Sequence, residues 1–456
     1  MTHSFRILGL TILVLSLTVL CAPFPSLAAS LAALQRQIDV AKSGDTIIPE
    51  PGIYKGNLII GKPITLDGQG KVTIDADGVG SVIILKTNGA TIRGLHLKNS
   101  GESHNDLDSG IQVRGNYNVI KDNEIEDCLF GIDIQQAENN IILRNRIGSK
   151  AFDLGVRGDG IRLWYSKNNR IEDNTIRDSR DVVVWYSSDN VFKRNKISGG
   201  RYGLHFMYSL YNLVEDNRLD NNSVGVFLMY SDSVIIRKNH ISRAIGSTGM
   251  GVGMKETSDV TIEDNAIIYC AIGIYLDVSP YQPGTTNKIR NNRLAFNSIG
   301  IKFHNDWTGN LIEDNQLKSN YVQVSVNAGA SAQRNGWDGN FWDDYRGFDQ
   351  NGDGIGDSPH ELKVYADRIW MDVPVASFFK SSAVLSLLDF LERLAPFSEP
   401  VVLLNDPRPK LTAETVVARA ETSERKATKD DPPFKYDPFG LSKRVPKYLN
   451  NADIKK

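Results

Sequence analysis

Cysteine is nearly absent from this chain of 456 residues, with only three in total. One of them, Cys21, falls in the N-terminal leader discussed below. The remaining two, Cys128 and Cys270, are too few for a disulfide-stapled scaffold. A dominant charge is also missing: the formal net charge is −2. That gives no support to binding nucleic acid through its phosphates, and it weakens a reading as a binder of polyanionic glycans. Long apolar runs are absent too, apart from the segment Ile7 to Cys21. No other stretch is long and apolar enough to cross a bilayer.

That segment follows His3 and Arg6 and is followed by the small-residue site Ser26-Leu27-Ala28. The order of charged, apolar and small residues predicts a cleaved export signal over 1–28. The residue before Cys21 is Leu20, where lipidation wants a small residue, so soluble secretion is the expectation.

What the sequence has in abundance is a repeat. Phrases such as "VIKDNEI", "RIEDNTI", "LVEDNRL" and "LIEDNQL" recur, anchored on Asn123, Asn145, Asn174, Asn195, Asn217, Asn239, Asn265, Asn292 and Asn315. Between the anchors lie short period-two alternations such as "GIRLW", "GLHFM" and "GIYL", which are strand signals. Such a period predicts an all-β, right-handed parallel β-helix over 29–320, with about ten coils of roughly 22 residues. Longer intervals between anchors mark loops inserted into a coil. The asparagines are expected at sharp corners, where Asn tolerates a left-handed backbone and its amide reaches the next coil. On this alignment Cys128 and Cys270 share one corner column about six coils apart. At about 4.8 Å per coil that is far beyond disulfide reach, so both are expected as free thiols.

Residues 29–48 read as an amphipathic helix capping the first coil. Residues 321–410 read as a C-terminal cap with an Asp-rich loop and a helical segment, and 411–456 as a flexible tail. The helix candidate spans 381–395. It carries Val384, Leu387, Leu388, Leu391 and Leu394 on one face, the last four being the expected partner-docking residues, with end-capping of the stack as the plainer use.

Aligning the coils by their asparagines also sorts the strands by face. Ile161/Leu163, Val182/Val184, Leu204/Phe206, Val226/Leu228, Ile274/Leu276 and Ile301/Phe303 fall inward. One outward column reads Trp164, Trp185, Met207, Met229, Met254, Asp277, His304, the place of Met254 requiring a one-residue slip. A second reads Arg162, Val183, His205, Phe227, Val252, Tyr275, Lys302. Thioether and imidazole together suit Cu(I), so Met207, Met229, Met254, His205 and His304 are the candidate copper ligands. An adaptable Met and Trp surface for a protein partner is the competing reading.

Two further constellations stand out. "DQNGDGIGD" places Asp349, Asn351, Asp353 and Asp357 at positions 1, 3, 5 and 9 of an EF-hand-like loop, with Gly354 at position 6. These oxygen ligands favour Ca²⁺, although His360 occupies position 12 and leaves the plain Asp/Gly turn as the alternative. "SHNDLDSG" offers His104, Asp106 and Asp108, a group that on a β-helix scaffold would act as acid and base on a uronate.

The stretch "GNFWDDYRGFDQNGDGIGDSPHEL", followed by "YADRIWMDVP", "SFFKSSAVLSLLDFLERLAPFS" and "NDPRP", resembles the NosD family of periplasmic proteins. With the leader and coils, the resemblance covers roughly residues 29–410. It implies a non-enzymatic periplasmic subunit of an ABC-type complex, membrane-associated through an ABC permease and ATPase. That complex assembles the copper sites of nitrous oxide reductase, with a membrane-anchored copper chaperone as donor. Cu(I) would be bound transiently; Ca²⁺ is the further ion expected from the Asp-rich loop alone. The alternative class on the same scaffold is a polysaccharide C5-epimerase or lyase.

Overall fold

The computed structural model of the protein describes residues 30–327, 330–364, 371, 373–379, 382–395 and 400–413. The expected leader over 1–28 and the tail from 414 onward lie outside the described residues. Within them, the chain winds as a parallel β-solenoid with three short strands per regular coil. One strand of each coil joins a twelve-stranded parallel sheet, and the other two join a 24-stranded sheet. A representative coil contributes Leu213–Glu215, Arg218–Asp220 and Val224–Met229.

The N-terminal cap is shorter than the sequence pattern implies. Its helix runs Leu31–Val40, with Ser30 as N-cap accepting from the Ala33 N–H at 3.3 Å, and buries Leu34 and Ile38. Beyond Val40 the Asp45 carboxylate takes the Lys42 N–H at 2.7 Å. Gly44, at φ 90°, then turns the chain into the strand Thr46–Ile47. At the other end the stack outruns the expected boundary near 320. Val322–Val326 pairs with Ile299–Phe303, and Phe341–Trp342 pairs with Gln316–Leu317.

The inward pairs are buried as the alternation predicts, from Ile161/Leu163 to Ile301/Phe303. One rung differs. Met254 is fully buried in the core, in register with Leu228, and the outward place beside Met229 belongs to Lys255. The extra residues of this coil form the loop between the strands His240–Ser242 and Met250–Lys255. Val252 and Met254 therefore point inward, because a one-residue slip in a strand exchanges its two faces.

The corner asparagines form a continuous hydrogen-bonded column. Asn195 donates from both its backbone N–H (2.9 Å) and Nδ2 (3.0 Å) to Asn217 Oδ1, while Nδ2 also reaches the Ile171 carbonyl at 2.7 Å. The same pattern recurs from Asn123 to Asn340. These asparagines are not themselves left-handed. The strained position is the residue before each, such as Asp122 (φ 57°), Arg194 (φ 54°) and Asp216 (φ 56°). The asparagine is selected for its amide, and the turn is carried by its neighbour. Cys128 and Cys270 are buried free thiols, pushed up by burial to about 12 and about 11 respectively.

The last amide in the column has no further asparagine to meet. Asp406, fully buried, takes its place: its carboxylate accepts from the N–H groups of Gly339 (3.1 Å) and Asn340 (3.0 Å), from Asn340 Nδ2 (2.9 Å) and from Trp342 Nε1 (3.0 Å). It arrives on the strand Val401–Asp406, which pairs antiparallel with His360–Val364. Arg408 then pairs with Asp338. The run "NDPRP" thus closes the solenoid. Replacing Asp406 by Ala strands four donors, each costing about 1–3 kcal/mol when buried and unpaired. We expect Asp406→Ala to destabilise the protein by at least about 3 kcal/mol in urea unfolding, with hydrogen exchange rising first at Gly336–Trp342. An unchanged midpoint would show that the carboxylate is dispensable.

Candidate functional site

The outer face of the twelve-stranded sheet carries the candidate ligands. Register pairing sets Trp164, Trp185, Met207, Met229, Lys255 and Asp277 in one column, rung by rung. The next column reads Val183, His205, Phe227, Gly253, Tyr275 and Lys302. Adjacent rungs of a parallel sheet stand about 4.8 Å apart, so His205, Met207 and Met229 form one group.

His205 faces outward, yet aromatic neighbours bury it. Its ring centroid lies 4.6 Å from Tyr202, 5.8 Å from Trp185 and 6.3 Å from Phe227. Phe227 is itself stacked on Tyr202 at 5.6 Å and leans across Gly253, where an added Cβ would come within 2.4 Å of the Phe227 ring. His205 Nε2 lies 3.4 Å from Met229 Sδ. Two donors about 2.0 and 2.3 Å from one tetrahedral ion stand about 3.5 Å apart, so this spacing fits a shared soft metal ion. The other ring nitrogen, Nδ1, is buried without a hydrogen-bond partner, 3.9 Å from Asp181 Oδ2.

Asp181 is a buried neighbour that the strand alternation did not single out. It is buried and paired with Arg201, whose guanidinium also lies 4.6 Å over the Tyr202 ring. Burial alone would push the Asp181 carboxyl up, but the His205 ring, the Arg201 guanidinium and the Tyr202 N–H hold it below the usual carboxylate range. A ligand histidine usually turns its second nitrogen to a carboxylate, and Asp181 is placed for that part. Among the described residues, no three of His, Cys, Asp or Glu gather closely enough to hold a metal ion.

The remaining candidates stand apart. Met254 is in the core, its thioether turned away from this face. His304 is exposed, three rungs or about 14 Å along the stack from Met229 at the usual rung spacing. Its Nδ1 is engaged by the Tyr275 hydroxyl at 3.1 Å. Neither joins the His205 group.

In the Asp-rich loop, Asp349 accepts from the N–H groups of Gly352 (2.6 Å) and Gly354 (2.8 Å). These bonds, that from Gly354 first, hold its carboxyl below the usual range. Asp353 Oδ1 takes the Ile355 N–H at 2.8 Å, and Asp357 Oδ2 takes the Gln350 N–H at 2.6 Å. The residue at loop position 12, His360, is buried with its ring 4.8 Å from Trp342. His104, Asp106 and Asp108 do not converge. His104 Nε2 meets the Val156 carbonyl at 3.1 Å, Asp106 binds the Ser103 hydroxyl at 2.7 Å, and Asp108 takes the Ser103 N–H at 2.9 Å.

The C-terminal helix spans Ala383–Leu394. Val384, Leu387, Leu388, Phe390, Leu391 and Leu394 are all exposed, whereas Leu385 and Glu392, on the opposite side, are half-buried. The apolar side of this amphipathic helix therefore faces away from the protein's own core.

The parallel coils place the chain among the β-helix proteins. A family model described as "Right handed beta helix region" matches residues 66–180. Two solved structures share this fold at low identity. The surface adhesin PfbA of Streptococcus pneumoniae has TM-score 0.51 and 14% identity, over 65% of this chain and 89% of that one. The A-module of the mannuronan C-5 epimerase AlgE6 of Azotobacter vinelandii has TM-score 0.50 and 17% identity, over 66% and 92%. A second family model, "Periplasmic copper-binding protein (NosD)", matches residues 143–347. The "Probable ABC transporter binding protein NosD" of Pseudomonas aeruginosa is 29% identical over 76% of this chain and 83% of its own length. The protein of the same description from Stutzerimonas stutzeri is 26% identical over 81% and 88%. Over most of its length the chain is thus similar to proteins of the NosD family.

Proposed function

We propose that this chain is a non-enzymatic periplasmic subunit of an ABC-type complex that handles Cu(I) for the copper sites of nitrous oxide reductase. The observation that carries the copper part is the 3.4 Å approach of His205 Nε2 to Met229 Sδ on the outer face, with Met207 one rung away. One imidazole and two thioethers form a soft but open donor set, suited to Cu(I) and poorly suited to Mg²⁺ or Ca²⁺. A half-open set binds weakly, as a station between a membrane-anchored chaperone and the reductase must. Asp181 would orient His205, and the aromatic rings would exclude water from the ion. The epimerase or lyase reading draws no support from His104, Asp106 and Asp108, whose polar atoms are spent on the backbone and on Ser103.

Export by a cleaved leader, and attachment to the membrane through a permease and its ATPase, complete the reading. Among the described residues no helix is long and apolar enough to cross a membrane. The twelve residues of Ala383–Leu394 span about 18 Å, short of the roughly 30 Å hydrocarbon core. Their outward apolar side, with Leu387, Leu388, Leu391 and Leu394, would instead seat on the permease. In the Asp-rich loop, Asp349, Asn351, Asp353 and Asp357 would hold a structural Ca²⁺.

Each part has its own test. Replacing Met207 and Met229 together by Leu keeps apolar bulk and removes sulfur. We expect Cu(I) affinity under reducing conditions to fall at least tenfold with the circular dichroism spectrum unchanged, and equal affinity would refute the copper site. For the helix, truncation before residue 381 is unsuitable because it also removes Asp406. Leu387→Asp with Leu391→Asp should leave the β-helix folded and abolish co-purification with the permease; full co-purification would exclude docking here. For the loop, Ca²⁺ should raise the melting temperature, since it binds the folded state alone, and Asp353→Ala should cancel the rise. Identical melting with and without Ca²⁺ would leave the loop a simple turn.

A further inference from the structure

Two rungs beyond Phe227, the same outer face presents a different chemistry. Lys302 follows Tyr275 in the second column, and both are half-buried. Among the described residues no carboxylate or carbonyl pairs with Lys302, whereas on other rungs buried and half-buried cations find acids. Lys193 meets Glu215 at 2.7 Å and Arg162 meets Asp133 at 2.8 Å. Burial holds the Lys302 amine below the usual lysine range, with no acid nearby to counter it. Two residues on, in the outward column, His304 presents an exposed imidazole whose Nδ1 lies 3.1 Å from the Tyr275 hydroxyl.

The Tyr275 O–H has no other acceptor among the described residues, and burial followed by the Asp277 charge keeps its pKa above the usual phenol range. It therefore donates to Nδ1, which puts the imidazole proton on Nε2. Lys302 Nζ and His304 Nε2 are then both donors on one face. Asp277 is the single acid in the adjoining column, and its register neighbour is Lys255, which has no ion-pair partner among the described residues. Two lysines against one aspartate leave the patch with an excess of positive charge.

We infer that Lys302 and His304 form an anion site for a carboxylate, with Tyr275 as the positioning residue that fixes the His304 tautomer. A carboxylate offers two oxygens that accept only, which matches two donors two residues apart on one face. The site is separate from the His205 group and does not depend on the copper reading. It gives the outer face a second station, able to hold the carboxylate of a small ligand two to three rungs from the thioethers.

The test uses the chain carrying ¹³C at the histidine Cε1 positions, titrated with acetate and with its neutral isostere acetamide at constant ionic strength. The His304 resonance is expected to move saturably with acetate and to stay in place with acetamide. Lys302→Met should weaken the acetate response at least tenfold, and Lys302→Arg should retain it. The unmoved signals of the other histidines report that each variant is folded. No saturable shift, an equal response to acetamide, or an unaltered response in Lys302→Met would overturn the site.

Discussion

A side-chain amide bonded to its own copy one coil away is the interaction on which the rest of this molecule depends. Backbone hydrogen bonds join the parallel strands and reach even the left-handed residue before each corner asparagine, as from the Arg194 N–H to the Glu215 carbonyl, but at each corner the asparagine's own N–H is taken by the next asparagine side chain and not by backbone. At those corners the peptide groups would otherwise be buried without partners. The asparagine column supplies both the missing acceptor, Oδ1, and the missing donor, Nδ2, at the same repeat as the strands. Because it fixes each corner against the next, inserted loops as long as those of the 174 and 265 coils leave the register of the neighbouring strands intact. Face assignment, and with it the composition of the outer columns, follows from that register.

The site illustrates how a solenoid makes a pocket without a cavity in its core. Side chains separated by about 22 residues in sequence become neighbours along a column. Polar groups can then be gathered on a flat sheet if the aromatic residues around them are tall enough to cover them. Tyr202, Trp185 and Phe227 do this for His205, and Gly253 leaves the space into which Phe227 leans. The result is a buried imidazole on the outside of the fold, beside a thioether and a paired carboxylate.

Most of the fold was legible in the sequence because two periods coincide: the asparagine spacing and the two-residue alternation of the strands. Where they fall out of step the reading failed, as at Met254, since counting from an asparagine cannot show on which side of a strand an inserted loop leaves the coil. The His205–Met229 pair was legible as a column but not as a contact, because rotamers and covering rings are not written in the spacing. Asp181 and the role of Lys302 were not legible for a related reason: a charge gains meaning only when its partner, or the lack of one, is seen. Asp406 was visible as part of a family-like motif, but its bond to Asn340 spans 66 residues and no local pattern announces it.

That long span has a kinetic side. Every coil below the last is completed by contacts between segments one turn apart, so stacking can proceed turn by turn as the chain emerges, N-terminal end first. The terminal rung is different: its amide, two backbone N–H groups and the Trp342 indole wait for a carboxylate that lies far downstream. Until that strand arrives the solenoid ends in an open edge with unpaired donors, the kind of surface on which a second chain can add. The latch therefore does more than stabilise the finished protein. It determines when, during its synthesis, the growing end stops being sticky.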